Sequence, residues 1–199
     1  MKEVVCFCLV IVCMFVPFGA GAMVHHVPGE YSTIQEAIWA AASSGDTVLV
    51  ADGTYSGPNN RDIQFNGKSL TVRSENGPEN CVIDCEGTAV SLHRGFYFSM
   101  EGPASVLDGF TIRNGYVDND RPGTMDNGGG ILCLYASPTI RNCIVTACTV
   151  TGATSCGGGI CYHHAEYPVL ESCRITDNQA DFGGGVAFCS ANRATDTGS

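Results

Sequence analysis

From Asp46 onward the chain alternates short apolar runs with clusters of Gly, Asn, Asp and Ser. Ile131-Leu132-Cys133-Leu134, Thr139-Ile140, Ile144-Val145 and Val150 are too short and too β-branched for helices, so the pattern predicts strands. Leu70-Thr71-Val72-Arg73, Cys81-Val82-Ile83-Asp84 and Phe110-Thr111-Ile112 read the same way. One stretch differs. Ile34, Ala37, Ile38 and Ala41 fall at i, i+3, i+4 and i+7, which predicts an amphipathic helix. Ser32 or Thr33 is its expected cap, Gln35 sits three after Ser32, and Gly45 suits its stop. Trp39 lies off the apolar stripe, where packing on the first strands is the primary expectation and contact with a ligand the secondary one.

The strands come in repeats. Gly128-Gly129-Gly130-Ile131, Gly157-Gly158-Gly159-Ile160 and Gly183-Gly184-Gly185-Val186 start 29 and then 26 residues apart. Asn142-Cys143-Ile144-Val145 recurs as Ser172-Cys173-Arg174-Ile175, and Phe110 holds the place that cysteine takes later. A unit of this length cannot bury its own apolar face, but stacked copies can, with strands about 4.8 Å apart. Triple glycine fits a corner where backbones approach closely; a phosphate-cradling loop would need a following Gly-Lys-Ser/Thr and a helix, and neither is present. The expectation is an all-β parallel solenoid over 46–199, preceded by a lead-in and capping helix over 23–45. The helix would cover the first apolar end and its unpaired strand edges.

Residues 1–22 read as a secretory signal, with Lys2, an apolar run from Val4 to Phe18 and an Ala20-Gly21-Ala22 cleavage site. Glu3 weakens its n-region, Val12 before Cys13 argues against lipidation, and the run is short for a membrane span. The expected location is secreted or cell-surface, with no transmembrane span once the signal is removed. The 199 residues carry 20 acidic and 10 basic side chains, and Lys68 is the only lysine after the signal. Nucleic acid and anionic membranes need clustered cations, so neither is an expected partner. Nine cysteines remain after the signal. Most are expected as buried thiols, with one or two bridges for which Cys81–Cys85 and Cys156–Cys161 are candidates.

Candidate chemistry is sparse. Asp118, Asp120 and Asp126 form the densest acidic patch and offer oxygens to a calcium ion, but Pro122 interrupts the ligand pattern and no glutamate closes it. No motif calls for any other cofactor. Cys156, Cys161, His163 and His164 lack the spacing of a structural zinc site. Tyr116, Tyr135, Tyr162 and Tyr167 are candidates for stacking on sugar rings along one side of the repeats. After the last glycine triplet the chain runs to Ser199 without a visible polar cap, so further repeats are expected beyond it.

Tyr31-Ser32-Thr33-Ile34-Gln35-Glu36-Ala37-Ile38 through Asp52-Gly53-Thr54-Tyr55 resembles the opening of right-handed parallel β-helix proteins of the pectin-lyase-like superfamily. The phrases around Val106 to Tyr116 and Ser137 to Cys143 resemble repeats of exported bacterial members, and the likeness spans 27–189. The glycine phrases and Ile175-Thr176-Asp177-Asn178 are similar to repeats of polymorphic outer membrane proteins, with Ile where those usually have Phe. The resemblance implies a single-stranded, right-handed helix of parallel strands, and a family of lyases, hydrolases, esterases, epimerases and non-enzymatic surface proteins. Arg121-Pro122 resembles the pectate-lyase dipeptide whose arginine takes a proton, while the paired aspartates of polygalacturonases and the Gln-Asp-Thr of pectin methylesterases are missing. The first expectation is a non-catalytic module presenting a rigid acidic face to a glycan or a protein. The alternatives are a calcium-assisted polysaccharide lyase with Arg121 as base, and a purely structural spacer.

Overall fold

The computed structural model describes residues 21–120 and 127–189, nearly all in parallel β-sheets, with one α-helix among them. The signal segment through residue 20, Arg121, Pro122 and Asp126 of the acidic loop, and residues 190–199 lie outside the described residues. The chain begins with β1 (Val24–Val27), α1 (Ile34–Ala40), β2 (Ser44–Val50), β3 (Gly53–Tyr55) and β4 (Ile63–Gln64). It continues through β5 (Ser69–Ser74), β6 (Cys81–Asp84) and β7 (Phe96–Ser99), then β8 (Val106–Asp108), β9 (Thr111–Arg113), β10 (Tyr116–Asp118) and β11 (Ile131–Leu134). The last strands are β12 (Thr139–Arg141), β13 (Ile144–Thr146), β14 (Thr149–Thr151), β15 (Ile160–His163), β16 (Val169–Glu171), β17 (Arg174–Thr176) and β18 (Val186–Cys189).

Three sheets take these strands in rotation: β1-β2-β5-β8-β12-β16, β3-β6-β9-β13-β17 and β4-β7-β11-β15-β18, with β10-β14 as a short fourth. Every visit pairs in parallel with the visit one round earlier. Register therefore lines inward side chains into columns. Val48, Val72, Leu107 and Ile140 stack in the first sheet, and Ile83, Ile112 and Val145 in the second. Ile63, Phe96, Ile131 and Ile160 stack in the third, and all of these are fully buried. Each contributes roughly 1.5–3 kcal/mol by leaving water. Burial fades in the last round, where Leu170 and Phe188 are exposed.

Two devices tie rounds together at the surface. Thr111-Ile112-Arg113-Asn114 and Thr139-Ile140-Arg141-Asn142 are the same phrase in different sheets. In each, the threonine hydroxyl donates to a proline carbonyl (Pro78 or Pro103), and the isoleucine points into the core. The arginine Nε then donates to an aspartate of the preceding round (Asp84 or Asp108) at 2.9 Å, and the asparagine, in the left-handed region, donates to the other carboxylate oxygen. The glycine triplets form the second device. Gly129, Gly158 and Gly184 adjoin, and a Cβ on Gly129 would lie 2.5 Å from the Gly158 carbonyl oxygen. Only glycine permits that approach.

The helix differs from expectation in its details. Thr33 is the cap, and its partner in the capping box is Glu36. Gln35 instead turns inward, exchanging hydrogen bonds with the backbone of Gln64. The C-terminus is closed by Lys68, whose Nζ donates to the Ile38, Trp39 and Ala41 carbonyls, satisfying groups that the helix leaves open. Gly45 belongs to β2, and the lead-in is itself a strand, paired with β2.

Candidate functional site

The corner that precedes β4, β7, β11, β15 and β18 is where the rounds diverge in chemistry. Pairing of Ile63 with Phe96 and of Phe96 with Ile131 makes Asp62, Gly95 and Gly130 equivalent positions. The backbone continues that register, since Ile63 N–H donates to Gly95 O and Gly95 N–H to Gly130 O. Later rounds therefore carry three bare glycines here, whereas the earlier rounds carry Asn60-Arg61-Asp62 and His93-Arg94-Gly95.

Those side chains make an ordered group. Asp62 sits at φ 53°, with its N–H donating to Arg94 O at 2.7 Å and its Oδ1 accepting the Arg94 N–H at 2.9 Å. Its Oδ2 lies 2.6 Å from His93 Nδ1, and His93 Nε2 lies 3.0 Å from Ser91 Oγ. A carboxylate only accepts, so Nδ1 carries the proton toward Asp62, and in the neutral ring Nε2 accepts from the serine hydroxyl. His93 is fixed by paired backbone bonds to Tyr116, and Ser91 is presented by the tight turn from Thr88, where its N–H donates to Thr88 O. Ser91 is exposed; His93 is partly covered.

Asp62 and His93 line a groove of about 360 Å³ whose other walls include Trp39, Asn59, Arg61, Gln64 and Asn66. The helix places Trp39 there, 57% exposed, and the Lys68 cap holds its carbonyl. The helix start is tied to the same wall, since Ile34 N–H donates to Asn60 Oδ1 and Gln35 N–H to Asn59 O. Arg61 donates from Nη1 to Glu86 at 2.8 Å and to Cys85 O. The groove thus joins one open aromatic face to amides, a guanidinium and a carboxylate.

The residues picked out in the sequence are spread over the molecule. Asp118 ends β10, with Oδ1 accepting the Asp120 N–H, and Asp120 accepts the Ala153 N–H; their expected companions Arg121 and Asp126 are outside the described residues. No group of three metal-ligating side chains occurs among the described residues. Tyr162 is 1% exposed and belongs to the core, where its ring stacks on Phe188, while Tyr135 stacks on His164 at an outer corner with parallel rings 4.6 Å apart. Tyr167 is exposed in a loop and Tyr116 is half-buried beside His93, so the four tyrosines do not share one face. The glycines of the three triplets lie in adjacent rounds. All nine described cysteines, including Cys81, Cys85, Cys156 and Cys161, are free thiols, and Cys161 and Cys189 have sulfurs 3.7 Å apart.

Asp62, Ser91 and His93 went unread in the sequence. Their signal was the repeat period: 31 residues separate Asp62 from His93, one round of the chain. It was hidden because the glycines that mark this corner elsewhere are replaced here. No protein-family model matches this chain, and no curated protein shows significant similarity to it. Among the described residues no helix is long and apolar enough to cross a membrane.

Proposed function

We propose that the chain is an exported right-handed parallel β-helix of the pectin-lyase-like kind, a rigid module that binds glycan in the groove beside Trp39. The rotation of strands among three sheets and the family-like opening from Tyr31 to Tyr55 support the architecture. One observation carries the binding role: an indole more than half exposed, anchored by its own helix over a groove of amides and paired charges. Sugars present flat C–H faces to aromatic rings and hydroxyls to amides, so this lining suits them. Uronate-lyase chemistry would centre on the loop from Asp118 to Asp126, and no observation among the described residues favours it.

A glycan array followed by calorimetry tests the proposal. At least one polysaccharide should bind, and Trp39→Ala should weaken it roughly five- to tenfold, the range of one aromatic contact. Retention of no glycan, or equal binding by the variant, would sink it; a spacer would give the former.

A further inference from the structure

We propose that Ser91, His93 and Asp62 form a hydrolytic triad that cleaves acyl esters presented at the Trp39 groove. The chain of contacts has the order such chemistry needs. Ser91 Oγ is 3.0 Å from His93 Nε2, and His93 Nδ1 is 2.6 Å from Asp62 Oδ2. Asp62 is itself fixed, its second oxygen holding the Arg94 amide. Nucleophile, base and orienting carboxylate thus stand in one line, which is how the arrangement is recognised on unrelated folds. Placement adds a second argument. His93 and Asp62 occupy the corner that later rounds fill with glycine, and Asp62 adopts a left-handed backbone there. A corner built only for stacking would keep the glycine.

The reaction balances without a cofactor. Ser91 Oγ attacks the ester carbonyl carbon as His93 Nε2 takes its proton. The tetrahedral adduct collapses, the carbon–oxygen bond to the alcohol breaks, and Nε2 returns the proton to that oxygen. Water then attacks the acyl-Ser91 ester, giving a proton to Nε2, and Ser91 leaves with it, releasing the carboxylic acid. Ser91 and His93 are the catalytic residues, and Asp62 is a positioning residue that holds the ring and its tautomer.

The choice of a groove-bound ester rests on the glycan reading; the chemistry does not, and the test separates them. The full chain is assayed with p-nitrophenyl acetate, which needs no sugar contact, and with a fluorophosphonate probe read by mass spectrometry. The expected result is turnover, probe attached at Ser91, and a fall on the order of 10²-fold or more in Ser91→Ala and His93→Ala. Asp62→Asn should lower kcat with KM little changed. Ser91 is exposed, so its variant keeps the fold, and labelling of the unmodified protein needs no variant at all. Unlabelled Ser91, or turnover unchanged in Ser91→Ala, overturns the triad even if glycan binding persists. Ester turnover without glycan binding keeps the triad and overturns the groove reading.

Discussion

A single side chain in this protein is governed by which way its round turns it. The thiols show this. Burial pushes Cys85, Cys133 and Cys143 well above the ordinary cysteine range and Cys81 and Cys148 up to about 12. Cys173 lies in the less covered last round, and the hydrogen bond from Cys143 lowers it to about 7. Iodoacetamide at pH 7.5 should therefore alkylate Cys173 first, as peptide mapping would show; equal labelling of Cys133 would refute it. Asp46 is the buried counterpart. Hydrogen bonds from His25 Nε2 and from the Met23 and Ala42 amides hold it at about 2, below the usual 3.8. A carboxyl depressed on folding stabilises the protein above its unfolded value and loses that contribution as pH falls toward the folded one. Asp46→Asn should cost about 1–3 kcal/mol at pH 7, and urea melts should show the gap closing between pH 3.8 and 2. Neither property was legible in the sequence. Cys143 and Cys173 were expected to stack, but nothing in their spacing says that one is covered by a further round and the other is not.

At the scale of elements, recurring phrases proved to be recurring contacts. Strand class and the single helix were readable because β-branched runs and the i, i+3, i+4, i+7 stripe are local signals. The cap partner was not, since Ser32/Gln35 and Thr33/Glu36 satisfy the same spacing and only tertiary contact, the Gln35 to Gln64 exchange, separates them. The first strand was missed for a similar reason: four residues, two of them histidine, become a strand by pairing with β2. The glycine corner yields a clean test. Gly129→Ala would set a Cβ 2.5 Å from one backbone oxygen and 2.9 Å from another, so it should cost about 3 kcal/mol or more. Gly102→Ala meets nothing within 4 Å and should stay within about 0.5 kcal/mol. Chemical denaturation of the two variants checks both, and equal stabilities would contradict the packing described.

Across the whole molecule, parallel register with alternating faces makes length changes unequal. One residue added between Ile140 and Arg141 would turn the arginine inward and remove its bond to Asp108. One residue added between Ala89 and Val90, at the exposed tip of a turn, displaces no core side chain. Thermal melts should show loss of cooperative unfolding in the first and a change of no more than about 4 °C in the second. The groove illustrates how legibility declines with scale. Trp39 stood out in sequence because it broke the helical stripe, whereas Asp62 and His93 became neighbours only once a full round had been laid over the last. Along the line of Gly129, Gly158 and Gly184, peptide groups touch with no side chain between them. That seam sets the spacing of the stack by the radius of an oxygen atom, so when the interior swells or shrinks the body must flex about it like a spine.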